Sequence, residues 1–91
     1  MVYSAVTPVS LGSYSLAPGA CSAKTVKLVS LTVAACAPDN VYVVHPYEAM
    51  ETGLALGMPY CVTKGTLVIP VINPTAAEVT DAACTVRVLA L

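Results

Sequence analysis

The chain has no Phe and no Trp, and only two Ile. Its apolar mass is carried by fifteen Val, fourteen Ala and nine Leu, so any core is thin and built from small side chains. Charge is scarce as well: 10% of the residues are Asp, Glu, Lys or Arg, against about 25% in an ordinary soluble domain. Ala, Val, Ile, Leu, Met, Tyr and Cys together make 57%. A single domain of 91 residues removes only about 60–65% of its unfolded surface from water, and this surplus of apolar residues predicts that partners cover part of what remains. The net charge is -1, with four basic residues, Lys24, Lys27, Lys64 and Arg87. That set offers no footprint for nucleic acid or anionic lipid.

The pieces from which chemistry is usually built are also missing. No CxxC spacing, Gly-rich phosphate loop, nucleophile elbow or HExxH pattern occurs, and each of those spacings exists to hold a metal, a phosphate or a nucleophile in place. His45 is the only histidine. With Glu48 and Glu51 nearby it can be drawn as an acid-base or metal cluster, but five acids in the whole chain leave few further ligands, and a turn-capping histidine is the plainer reading. Cys21, Cys36, Cys61 and Cys84 allow three disulfide pairings. Cys61 and Cys84 lie in apolar runs where a free Cys acts as a small buried hydrophobe, so reduced cysteines are expected. No catalytic, cofactor-binding or metal-binding residue is expected, and no cofactor.

Residues 1–23 carry no charged side chain, which raises the question of a membrane span. Pro8, Gly12, Pro18, Gly19 and five serines interrupt any run of about 20 apolar residues. "SLAPGAC" at 15–21 has the outline of a bacterial lipoprotein cleavage site but lacks a positive n-region. A soluble, unprocessed chain without membrane contact is the expectation.

What the sequence does have is strand-forming residues. Val, Ile, Thr and Tyr are spread along the chain between closely spaced turn residues, which predicts an all-β fold. "KTVKLVSLTVA" (24–34) is the longest strand candidate, with Val26 and Leu28 on one side of the pleat and Val29, Leu31 and Val33 on the other. A β-bulge, or a strand covered on both faces, explains such a switch of the apolar side. "APDN" (37–40) reads as a turn, "VYVV" (41–44) as a short strand, Pro46–Thr52 as a helical turn, and "KG" (64–65) as a tight hairpin turn. "TLVIPVIN" alternates Leu67, Ile69 and Val71 with Val68, Pro70 and Ile72, and "CTVRVLAL" alternates Cys84, Val86, Val88 and Ala90 with Thr85, Arg87, Leu89 and Leu91. Pro70 has no N–H, so it suits an edge strand, a bulge, or a position facing away from a neighbour; an edge strand is the preferred reading. Six or seven short antiparallel strands in one domain predict a two-sheet sandwich or partly open barrel over residues 24–91, preceded by an extended N-terminal arm over 1–23.

From residue 25 to the end, the order "TVKLVSLTV", "APDNVYVV" and then "VINPTAAEVTDAACTVRV" is similar to a group of small β proteins encoded by tailed bacteriophages and associated with the capsid. The Asn-Pro-Thr-Ala-Ala loop is the most specific part, while "TDAAC" departs from the Pro-Ala pair common after Asp in that group. The resemblance implies a capsid decoration, or cement, protein: a non-enzymatic virion component, assembled in the host cytoplasm, that oligomerises, often as a trimer, and binds the major capsid protein on the capsid exterior. A tail- or fibre-associated module that binds a host surface is the alternative. Val2, Tyr3, Val6, Leu11, Tyr14 and Leu16 of the arm, with Leu31, Leu89 and Leu91 of the body, are the expected interface residues.

Overall fold

The computed structural model of the chain describes residues 9–47, 53–81 and 83–91. Among them nine strands run in the order β1 (Val9–Leu16), β2 (Gly19–Cys21), β3 (Thr25–Thr32), β4 (Tyr42–Pro46), β5 (Ala55–Leu56), β6 (Tyr60–Thr63), β7 (Thr66–Asn73), β8 (Val79–Asp81) and β9 (Cys84–Ala90). Every pairing is antiparallel. One sheet has the order β1-β9-β4, a second places β3 on one side of β7 with β5 and β6 on the other, and β2 pairs with β8 alone. The expected all-β sandwich is thus the fold. The count exceeds the expected six or seven because β2, β5 and β8 are only two or three residues long, too short for an alternating pattern to reveal.

The core lies between the two larger sheets. Val86 and Val88 of β9, Leu16 of β1 and Tyr42 of β4 meet Leu67 and Ile69 of β7, with Val33, Cys36, Cys61 and Cys84 completing the cluster. Strict alternation along β7 and β9 places these side chains: buried and partly exposed positions take turns through Thr66–Asn73, and Cys84, Val86 and Val88 point inward while Thr85 and Arg87 point out. With a side-chain period of two, each strand gives one face to the core and the other to the surface.

Two expectations about the N-terminal half are corrected. Residues 9–16, expected in an extended arm outside the sandwich body, are a strand of one of its sheets: β1 pairs with β9 from Val9 to Leu16. One register shift, between Ser10 and Gly12, at a glycine with φ of 110°, lets Leu11 and Tyr14 both pack against the core, and the Tyr14 hydroxyl donates to the Leu11 carbonyl at 3.0 Å. β3 contains no bulge either, since its register with β7 is unbroken from Thr25 to Thr32. Val29 and Leu31 face the core, and Val26 and Leu28 lie on the opposite, exposed face.

Pro70 is not on an edge strand. It sits in β7, which has neighbours on both sides, directly opposite Leu28 of β3. On the far side β5 pairs with Ile72 and Val71, β6 pairs with Thr66, Leu67 and Val68, and neither is paired with Pro70. Gly57, in the link between β5 and β6, donates its N–H to the Pro70 carbonyl at 2.8 Å. Amide and carbonyl of one strand residue project to the same side, so the N–H that proline lacks would have pointed at this interruption. One edge of this sheet is β3, and there Lys27 shares the pleat side of Val29. Its ammonium donates to the Pro18 carbonyl at 2.6 Å and to the Ala20 carbonyl at 3.2 Å. A charge on the inner side of an edge strand is a device that discourages strand addition.

The "APDN" turn is present, closed by Asn40 N–H donating to the Ala37 carbonyl at 3.3 Å. Tyr42, fully buried, ties it to the core: its hydroxyl accepts from Ala37 N–H at 2.6 Å and donates to the Ala37 carbonyl at 3.3 Å. Tyr42→Phe keeps the ring and removes these bonds. We expect a loss of about 1–2 kcal/mol, read from the urea midpoint; an unchanged midpoint would mean that the turn is held without the hydroxyl. The "KG" hairpin turn joins β6 to β7 through the Thr63↔Thr66 pair, with Gly65 at φ 89°. Pro46 ends β4, so the expected helical turn does not begin there, and residues 48–52 lie outside the described residues.

Candidate interaction faces

The two sheets present opposite chemistry to the surface. Side chains on the outer face of the β3–β7 sheet follow from the register: Val26, Leu28, Ser30 and Thr32 of β3 stand beside Ile72, Pro70, Val68 and Thr66 of β7, followed by Ala55 of β5 and Tyr60 of β6. None of these ten is charged. Val26 and Leu28 are 57% and 59% exposed. Met58, in the link past Pro70, and Val62, at the β6 register shift, are 71% and 69% exposed. Isolated exposed apolar residues are ordinary, but this face is contiguous, uncharged and mainly apolar, unlike a solvated sheet face.

The outer face of the β1-β9-β4 sheet is polar over most of its length. Ser13, Arg87 and His45 form one row across the three strands, and Tyr47 follows β4. Arg87 Nε donates to the Tyr47 hydroxyl at 3.0 Å, Ser13 Oγ lies 2.9 Å from the same oxygen, and the guanidinium carbon stands 5.2 Å from the Tyr47 ring centre. The bond from Ser13, then that from Arg87, holds the Tyr47 phenol below its usual range. The cluster is exposed, so its effect is to fix Tyr47 across the sheet. At one end of this sheet the chemistry changes: Val41, Val43 and Leu91 are exposed and Leu89 is partly exposed.

Among the described residues no cavity opens that would enclose a small molecule, and no three His, Cys, Asp or Glu side chains converge on one point. His45 is exposed and paired across the sheet with Arg87, while Glu48 and Glu51, the other members of the cluster drawn from the sequence, lie outside the described residues. All four cysteines are buried, whereas a catalytic thiolate sits in an exposed, electropositive setting. No described helix is long and apolar enough to cross a membrane.

The "NPTAA" loop has a defined structural role. Asn73 is fully buried. Its side-chain NH2 lies within donating distance of the carbonyls of Cys21 (2.9 Å), Ser22 (3.2 Å) and Ala77 (2.9 Å), and its carbonyl oxygen accepts from Thr75 N–H at 3.0 Å and Thr75 Oγ1 at 2.6 Å. Lys24 N–H in turn donates to the Thr75 carbonyl at 3.0 Å. One amide thus fastens the loop to the turn that leads from β2 into β3.

The residues expected at an interface divide into groups. Val2, Tyr3 and Val6 lie outside the described residues. Leu16 belongs to the core, not to an interface: it is 1% exposed, because β1 is a strand of the sandwich whose last residue points inward. Leu11, Tyr14 and Leu31 are partly buried against the same core, and Leu89 and Leu91 lie at the apolar end of the β1-β9-β4 sheet. Val26, Leu28, Met58, Tyr60 and Val62, all exposed, are not among those nine residues. The signal for the first two was present: β3 and the residue after it offer Val29, Leu31 and Val33 on one side against Val26 and Leu28 on the other, and the longer set faces the core. No protein-family model, curated protein or solved structure matches the chain.

Proposed function

We propose that the protein is a non-enzymatic structural subunit of a virion, a capsid decoration protein that self-associates and binds the outer surface of a capsid lattice through the major capsid protein. The observation that carries this reading is the uncharged apolar outer face of the β3–β7 sheet. A face lacking charge meets a second copy of itself without like-charge repulsion, and a net charge of -1 adds little repulsion between whole subunits. The resemblance of the "NPTAA" loop and its flanking strands to capsid-associated phage proteins points to the same class and to a trimer. Decoration also suits a small domain. Each subunit needs only a modest contact with the lattice, because a linked trimer engaging neighbouring capsomers raises avidity by roughly 10²–10⁴.

The test is sedimentation of the purified chain at micromolar concentration, with a trimer expected. Leu28→Asp combined with Val62→Asp places two charges on the exposed face and touches no core residue, so the variant is expected to stay folded by circular dichroism and to sediment as a monomer. A monomeric parent, or an oligomer indifferent to both substitutions, would overturn the assembly reading. Binding is read separately, by adding the chain to undecorated capsids and looking for saturable, stoichiometric occupancy of the outer surface. Its absence with an intact trimer would remove the capsid from the proposal.

A further inference from the structure

The buried thiols of Cys36 and Cys61 lie 3.2 Å apart. Their approach is fixed by the backbone, not by chance rotamers. Val33 N–H donates to the Gly65 carbonyl at 3.0 Å, Gly65 N–H donates to the Cys36 carbonyl at 3.1 Å, and Cys36 N–H donates to the Val33 carbonyl at 3.0 Å. These bonds clamp the turn after β3 to the β6–β7 hairpin. Cys61 is held in β6 opposite Leu67, and its thiol donates to the Thr63 carbonyl at 3.1 Å. A disulfide needs a sulfur separation of about 2.05 Å, so about 1 Å of side-chain rotation separates the two thiols from a covalent bond.

We propose that Cys36 and Cys61 are the site of an intramolecular disulfide, formed by exchange with a low-molecular-weight disulfide such as oxidised glutathione. Cys36 is fully buried, whereas Cys61 is 8% exposed and is the sulfur an outside reagent reaches first. The Cys61 thiolate attacks one sulfur of the reagent, whose S–S bond breaks and releases one thiolate. The Cys36 thiol gives up its proton and attacks the Cys61 sulfur of the mixed disulfide, releasing the second. Two protein thiols are oxidised and one reagent disulfide is reduced to two thiols. Burial, followed by the neighbouring Cys36, raises the Cys61 pKa, and since exchange runs through the thiolate, the reaction accelerates as pH rises.

The bond locks the connection that crosses from the β3–β7 sheet to β4 onto edge strand β6. It closes a loop containing β4 and β5 and so restricts the unfolded chain. After incubation of the full chain with oxidised glutathione at pH 8.5, titration in denaturant is expected to find two thiols in place of four, and peptide mapping to join Cys36 to Cys61. The melting temperature should rise by about 10 °C or more and return to its starting value on reduction. Cys61→Ala should keep three thiols and gain no thermal shift under the same treatment. Four remaining thiols after incubation near the melting temperature, or a cross-link through Cys21 or Cys84, would overturn the assignment.

Discussion

Asn73→Ala is expected to lower stability by about 3 kcal/mol or more, the largest effect of any single side chain outside the apolar core. The amide oxygen bonds Thr75 twice and the NH2 group faces three carbonyls from two segments, all around a fully buried position. Truncation removes all five contacts, the one to the Cys21 carbonyl in fully buried surroundings, at about 1–3 kcal/mol for a buried group left unpaired. A domain of this size has about 5–14 kcal/mol of stability in total, so the urea midpoint should fall steeply. Asn73→Asp should be worse still at neutral pH, because a carboxylate only accepts and would face the carbonyls of Cys21, Ser22 and Ala77. Thr75→Val removes only the hydroxyl's share and should cost less than either. A midpoint for Asn73→Ala within about 0.5 kcal/mol of the parent's would show that the loop is held by other means.

Gly57→Ala is expected to cost about 2–3 kcal/mol. A β-carbon there would stand 2.9 Å from Pro70 Cβ and 3.3 Å from Pro70 Cγ. The proline ring cannot rotate aside, and Pro70 is in the middle strand of its sheet. The link at Gly57 must move instead, and with it goes the N–H bond to the Pro70 carbonyl. Pro70→Gly in the same chain removes the obstacle, so the double variant should lose less than the sum of the two single losses. Strictly additive losses would mean that the close approach of Gly57 to Pro70 is not what the glycine serves.

These two positions show how far the sequence could be read. The alternation of "TLVIPVIN" and "CTVRVLAL" identified both strands, and Cys84, Val86 and Val88 share one face of β9 as the pattern indicated. The "APDN" and "KG" turns were legible because proline and glycine fix backbone angles locally. Pro70 was read as an edge marker because a missing donor is tolerated most readily on an edge. A second solution, an interior strand whose partner changes from β5 to β6 at that residue, depends on where two short strands end.

The sequence by itself determined the class of fold, its principal strands and turns, and a surplus of apolar residues over what a thin core can hold. All of these follow from composition, a period of two and local backbone preference. Only the tertiary structure decided which of two apolar faces on β3 and β7 is buried, that residues 9–16 form a strand of the sandwich, that Asn73 is the anchor of its loop, and that Cys36 meets Cys61. Each depends on pairing between segments distant in the chain, and a side-chain period of two is the same whichever face is turned inward.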